Sequence, residues 1–325
     1  MTLRRIGITL GDPGGVGPEI VIKALGGDYR LPEADYVLFG SAPVLRAEEK
    51  ALGIHFDFDS VRPEKAAPSG TLTFYEVPSS LRTIGKGRAS ARNGLESFHY
   101  FKTAVAEARE GNLQAIVTAP ISKSSWALAG LRWKGHTDYL NHLYPGAVMA
   151  FWSGKLKVAL FSHHLSLPDA LNKINRESLQ DFFISLDRSL RRVRPDGFAF
   201  LVAGLNPHAG EDGLLGREET EEIAPAIREA RRQGIKIKGP YPPDVVFRTA
   251  LGQADTIVIA LYHDQGLIPF KLVAFENGVN VSLGLPFVRT SPDHGTAFDI
   301  AGKDRASPRS LVEAIRLAAS LSQSI

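Results

Sequence analysis

Short runs of uninterrupted apolar residues recur along the chain, separated by stretches in which apolar residues return at helical spacing. The short runs predict strands at Ile6–Leu10, Tyr36–Gly40, Thr71–Val77, Ala115–Pro120, Lys157–Ser162, Phe198–Gly204, Thr256–Tyr262 and Val279–Gly284. Several are apolar at every position, the pattern of parallel strands buried on both faces. The stretches between them predict helices. Asn93–Glu110 carries Phe98, Phe101, Val105 and Ala108 on one stripe and stops at Gly111. Glu218–Gln233 begins with acids and ends with arginines, as the helix dipole favours. Ser307-Pro308 starts a last helix with Leu311, Ile315, Ala318 and Leu321 inward. Strand–helix alternation throughout predicts an α/β fold with a mainly parallel sheet.

The first strand leads into GDPGGVGPE, Gly11–Glu19. Its glycines do not have the G-x-G-x-x-G spacing of the common dinucleotide loop. Pro18 at a first helical position, Glu19 in the first turn and Gly26-Gly27 at the end specify a helix. The loop therefore reads either as a tight turn or as a helix N-terminus open to an anion.

Composition changes this picture little. At 325 residues the chain is long for one core, so two domains are expected, joined by short connections the chain crosses twice. A net charge of +3 without long basic runs argues against nucleic acid as a partner. The longest apolar runs are strand-sized, and the N-terminus has no signal-peptide pattern, so a cytoplasmic protein that does not enter membranes is expected. The absence of cysteine excludes disulfides, thiolate ligands and a thiol nucleophile.

The nine histidines separate by context. His55, His99 and His142 read as structural. His164, His208 and His263 each follow the C-terminal end of an apolar strand, the edge where open parallel sheets bind ligands. Three imidazoles from such ends can converge on zinc or another divalent ion and leave positions open for substrate. The same residues can equally be three separate loop histidines, and His163 could replace His164. Charged and glycine-bearing segments gather at GHTD, NPHAGEDG, YHDQG with Lys271, and the region of Asn280, Arg289 and SPDHGTAFDIAGK. Arg289 has the fork to grip a carboxylate or phosphate.

GDPGGVGPEI, GHTDYL, NPHAGEDG, YHDQGLIPFK and GVNVSLGLPFVRTSPDHGTAFDIAGK together resemble the 4-hydroxythreonine-4-phosphate dehydrogenase family of pyridoxal phosphate biosynthesis, from residue 6 to about residue 303. GDPGGVGPE and HGTAFDIAG more distantly resemble loops of isocitrate and isopropylmalate dehydrogenases, which bind NAD without G-x-G-x-x-G. The resemblance implies two α/β/α domains with a cleft between them. The expected division is residues 1–125 with 285–325 on the nucleotide side, and 126–284 on the metal, substrate and dimerisation side. It implies a homodimer with shared active sites, NAD or NADP, and one divalent ion (zinc, cobalt or magnesium) per site.

The implied reaction oxidises the secondary alcohol of 4-phosphooxy-L-threonine and then decarboxylates the product to 3-amino-2-oxopropyl phosphate. By motif, the implied metal ligands are His164, His208 and His263, with His164 preferred over His163 through the family's HLxL pattern. The substrate contacts are His136, Thr137, Lys271, Asn280 and Arg289. Asp244, Asp264 and Lys271 are the candidate acid–base groups, and Gly14, Gly295, Thr296 and Asp299 the cofactor contacts. The extra histidine in FSHH departs from the family pattern. The alternatives are a related dehydrogenase of phosphorylated sugar acids or aromatic dihydrodiols, a three-histidine zinc phosphoester hydrolase, and a non-catalytic phosphometabolite-binding protein.

Overall fold

A computed structural model describes residues 4–56, 59–60, 72–79 and 84–324. The strands are β1 (Arg5–Thr9), β2 (Asp35–Gly40), β3 (Asp59–Ser60), β4 (Leu72–Glu76), β5 (Ala115–Thr118), β6 (Val148–Trp152), β7 (Lys157–Leu160), β8 (Ala199–Ala203), β9 (Ile237–Tyr241), β10 (Thr256–Ala260), β11 (Val279–Leu283) and β12 (Val288–Pro292). The chain forms two compact units, one running from the N-terminus to Pro145 and again from Pro286 to Gln323, the other from Gly146 to Leu285.

In the first unit the strand order is β3-β4-β2-β1-β5-β12, all parallel. The expected run Thr71–Val77 becomes β4, with Thr71 outside the described residues. Ile6, Ile8, Leu38, Phe39, Ile116 and Val117 are fully or nearly fully buried, as two-sided coverage requires. Helix Ala91–Arg109 packs here, capped by the Ser90 hydroxyl, which accepts from Asn93 N–H. The last helix is Arg309–Leu321, burying Leu311, Ile315, Ala318 and Leu321.

In the second unit the order is β11-β6-β7-β10-β8-β9. β6 runs antiparallel to β11 and β7, and the rest is parallel. Its core joins Phe151, Val158, Leu160, Val258, Ala260, Leu267 and Phe270.

The first passage between units falls after Pro145, not after residue 125. The reason is aromatic packing: Trp126 and Tyr139 sit edge-on to Phe98, and Phe101 lies 4.4 Å from the His136 ring, centroid to centroid. Helices Lys123–Leu128 and His136–Leu143 therefore belong with the helix Ala91–Arg109. The pattern does not predict β3, β6, β9 or β12. β9 contains a cis Gly239-Pro240 bond, and β12 contains an arginine and ends in proline, so neither reads as a buried strand. The expected helix Glu218–Gln233 starts with a π-turn, Glu219–Ile223, before the α-helix Ala224–Arg232.

Candidate active site

In the first unit, Arg289 on β12 is 3% exposed. Its Nε and Nη2 both donate to Thr118 Oγ1, at 3.1 and 2.7 Å, and Nη2 also donates to His136 Nδ1 at 3.1 Å. The adjacency follows from the sheet, because β12 lies beside β5, whose last residue is Thr118. His136 is the first residue of its helix, entered through Gly135 at φ +146°. Since its Nδ1 accepts, the ring is neutral with its proton on Nε2, and that buried N–H has no hydrogen-bond partner. Burial, then the charge of Arg289, hold the imidazole well below its ordinary 6.5. Burial also pulls the guanidinium down to about 9. A buried cation beside an unsatisfied N–H donor is an environment that an anion relieves. Thr137 follows His136 on the same helix turn.

The first loop is packed rather than open. Asp12 is buried, and its Oδ1 accepts from Gly14 N–H at 2.8 Å. Burial raises its pKa above 3.8 against the opposing hydrogen bonds. A Cβ on Gly14 would stand 2.5 Å from Asn93 Nδ2 and 2.8 Å from Gly85 O, so only glycine fits there. Val16 N–H donates to Thr296 O, and Glu19 Oε1 accepts from Ala306 N–H and Lys23 Nζ. The amides of this helix start thus serve the fold, which gives Gly14 a packing role. Gly295 is exposed, and a Cβ there would meet nothing within 4 Å, so packing does not require glycine at this position. Asp299 is exposed and Thr296 half-buried in the same loop.

In the second unit, β7, β10 and β8 are adjacent and parallel, so the loops bearing His164, His263 and His208 leave one sheet edge. The His164 and His263 rings lie 6.0 Å apart, and His163 stacks on His164 at 5.3 Å. Burial, then the neighbouring His164, bring His163 down to about 4. His263 Nδ1 donates to Asp264 Oδ1 at 2.6 Å, which leaves Nε2 as the free electron pair. Two imidazoles on one ion, each at about 2.0–2.1 Å, hold their ring centroids roughly 5 Å apart. At 6.0 Å the His164 and His263 rings stand somewhat farther apart than that. Among the described residues, no three His, Asp or Glu side chains gather closely enough to hold one.

His208 sits on a turn in which His208, Ala209, Gly210, Glu211 and Asp212 all have positive φ. Glu219 clamps it: Oε1 accepts from Leu205 and Asn206 N–H at 2.7 Å each, and Oε2 from Asn206 Nδ2 at 2.8 Å. Gln265, also buried, ties the ends of β10 and β8 by accepting from Leu261 N–H and donating to Gly204 O. Asp244 is exposed after Pro243, Lys271 is half-buried on helix His263–Ala274, and Asn280 is half-buried on β11. Thr118, Glu219 and Gln265 escaped the sequence reading, because nothing in a strand end or an acidic run tells which neighbour it will meet.

Residues 32–318 match the model of the family described as pyridoxal phosphate biosynthetic protein PdxA. The chain belongs to this family. It is 40% identical to the 4-hydroxythreonine-4-phosphate dehydrogenase of Aquifex aeolicus (strain VF5), over 97% of each chain. It is also 40% identical to the D-threonate 4-phosphate dehydrogenase of Salmonella typhimurium (strain LT2), over 99% of this chain and all of the relative. The crystal structure of a 4-hydroxythreonine-4-phosphate dehydrogenase from Klebsiella pneumoniae superposes with a TM-score of 0.85 at 39% identity, covering 98% of this chain and 100% of that one. The family's relatives are oxidoreductases, and the two α/β units with mainly parallel strands agree with that fold.

Proposed function

We propose that the protein oxidises 4-phosphooxy-L-threonine at its secondary alcohol with a nicotinamide cofactor and decarboxylates the resulting β-keto acid to 3-amino-2-oxopropyl phosphate, in the cytoplasm. The near full-length match to relatives named for this activity carries the reading. When bound, the nicotinamide accepts hydride and a divalent ion acts as a Lewis acid on the reacting oxygen.

The chain's own residues do the rest. Arg289, His136 Nε2–H and Thr137 bind a substrate anion, and Lys271 and Asn280 are further substrate contacts. His164, His208 and His263 hold the ion, with Asp264 fixing the His263 tautomer through the bond at 2.6 Å. That bond favours Asp244 or Lys271 over Asp264 as the group that takes the hydroxyl proton. Gly295, Thr296 and Asp299 border the cofactor, with Gly14 shaping the loop behind Thr296. The working form is a homodimer: Ile268, Leu272 and Phe275 form an apolar stripe, 61, 83 and 81% exposed, of the kind a partner subunit covers.

Purified protein is incubated with 4-phosphooxy-L-threonine, NAD or NADP, and zinc or magnesium, while reduced nicotinamide and carbon dioxide are followed. Equimolar formation of both supports the reading. Turnover of D-threonate 4-phosphate but not the amino substrate would overturn it, as would phosphate release without reduction of the cofactor.

A further inference from the structure

We propose that Lys23 and Glu19 are positioning residues that hold the loop of residues 295–304 in the shape that receives the nicotinamide cofactor. The proposal rests on the reading of Gly295, Thr296 and Asp299 as cofactor contacts. All the residues involved lie in the first unit. The loop is fastened at both ends to one helix, Gly17–Gly26. At its start, Thr296 O accepts from Val16 N–H at 2.9 Å, one residue before that helix. Just past its end, Ala306 N–H donates to Glu19 Oε1 at 2.8 Å, and Lys23 Nζ donates to Ala306 O at 3.1 Å. Lys23 Nζ also pairs with Asp304 Oδ1 at 2.8 Å and with Glu19 Oε1 at 2.7 Å.

The chemistry of the clamp assigns it to the loop rather than to a ligand. An ammonium has three donors, and Lys23 meets three acceptors of the fold: the Glu19 and Asp304 carboxylates and the Ala306 carbonyl. Glu19 is fully buried, where a carboxylate is tolerated when it is paired, and Lys23 one helical turn on is its partner. Between the anchors the loop turns on itself through Ile300 N–H to Ala297 O and Lys303 N–H to Ile300 O, and Asp299 stays exposed. Ten residues separate Thr296 from Ala306, a length of chain that can extend to about 33 Å. The anchors on the helix, Val16 to Lys23, lie within roughly 10 Å along its axis. The clamp thus removes conformations that the loop would otherwise lose on binding the cofactor, and affinity gains by that amount.

Lys23→Met keeps the length and the apolar stem and removes the three donors. The expected result is a dissociation constant for the reduced cofactor raised about tenfold or more, as loss of charge-assisted hydrogen bonds does. Fluorescence titration with NADH and NADPH reads it. KM for the oxidised cofactor rises in parallel, while KM for the phosphorylated substrate and kcat change less. Lys23→Arg, which keeps the charge and the donors, recovers most of the affinity. Because Lys23→Met leaves the buried Glu19 charge unpaired, its combination with Glu19→Gln is the second variant. That pair leaves no buried charge behind, and the same cofactor defect is expected with a urea midpoint above that of Lys23→Met alone.

Wild-type cofactor affinity in the double variant overturns the proposal. So does an equal rise of both KM values, which marks a general loss of structure. Gly295→Phe is the control for the underlying reading, since Gly295 is exposed and a Cβ there meets nothing within 4 Å, so the fold accepts a larger side chain. If Gly295→Phe weakens cofactor binding while the Lys23 variants do not, only the positioning role fails. If Gly295→Phe leaves cofactor binding unchanged, the loop is not the cofactor border and the proposal falls with that reading.

Discussion

At the scale of single residues, His136 shows how burial converts a common side chain into a specialised one. Its ring is enclosed by Phe101 and Trp126 and accepts from a cation, so it stays neutral at pH values where an exposed histidine takes up a proton. This has a consequence for stability. The unfolded chain protonates this histidine as pH falls through about 6.5, whereas the folded chain does not until well below that. The unfolded state is then favoured by up to about 1.4 kcal/mol for each further pH unit. Replacing His136 with Asn is expected to flatten that part of the acid-side loss, read as urea midpoints above and below this pH; an unchanged slope would contradict the assignment. His136 and Arg289 were both marked in the sequence by type and context. Their mutual contact was not, since it depends on β5 and β12 being neighbours.

At the scale of elements, the left-handed turn carrying His208 is the most demanding piece of backbone. Four of its five residues bear a Cβ, and each such residue costs roughly 1–2 kcal/mol in this conformation. The turn persists because the buried Glu219 carboxylate accepts both backbone amides at its entrance. Glu219→Ala is therefore expected to cost about 3 kcal/mol and to weaken binding of divalent ion, while Glu219→Gln, which keeps a carbonyl acceptor, costs less. Denaturant unfolding and zinc titration measure the two effects; equal losses in the two variants would point to volume instead. Conversely, Ala209→Gly relieves strain at φ +56° and is expected to stabilise by up to about 1 kcal/mol, read as a higher urea midpoint. The sequence NPHAGEDG announced a loop, but its handedness is imposed by Glu219, which approaches from the next element.

At the scale of the whole molecule, each of the two units carries mainly parallel strands, and no helix among the described residues is long and apolar enough to cross a membrane. The second unit nevertheless leaves a run of large apolar side chains in solvent on helix His263–Ala274 and its cap: Ile268, Leu272 and Phe275, spaced i, i+4, i+7 on one face. If that face is the subunit interface, Leu272→Glu combined with Phe275→Glu yields a monomer in sedimentation velocity, with the circular dichroism of the wild type. A dimer that survives both charges would place the interface elsewhere.

Local chemistry settled the element types, most strand positions and the residue kinds of the candidate site, because a buried parallel strand must be apolar throughout and a helix end must cap its own amides. Parallel alternation likewise set the side of the sheet on which His164, His208 and His263 emerge. Tertiary structure decided everything that depends on which strands become neighbours. It joined Arg289 to Thr118 and His136, brought His164 near His263, moved the helices of residues 123–143 into the first unit, and turned the glycines of the first loop to close packing. The physical reason is that periodicity reports how each segment meets its own immediate surroundings, whereas these contacts join residues as far apart as the 171 positions between Thr118 and Arg289, and no local preference encodes a partner at that distance.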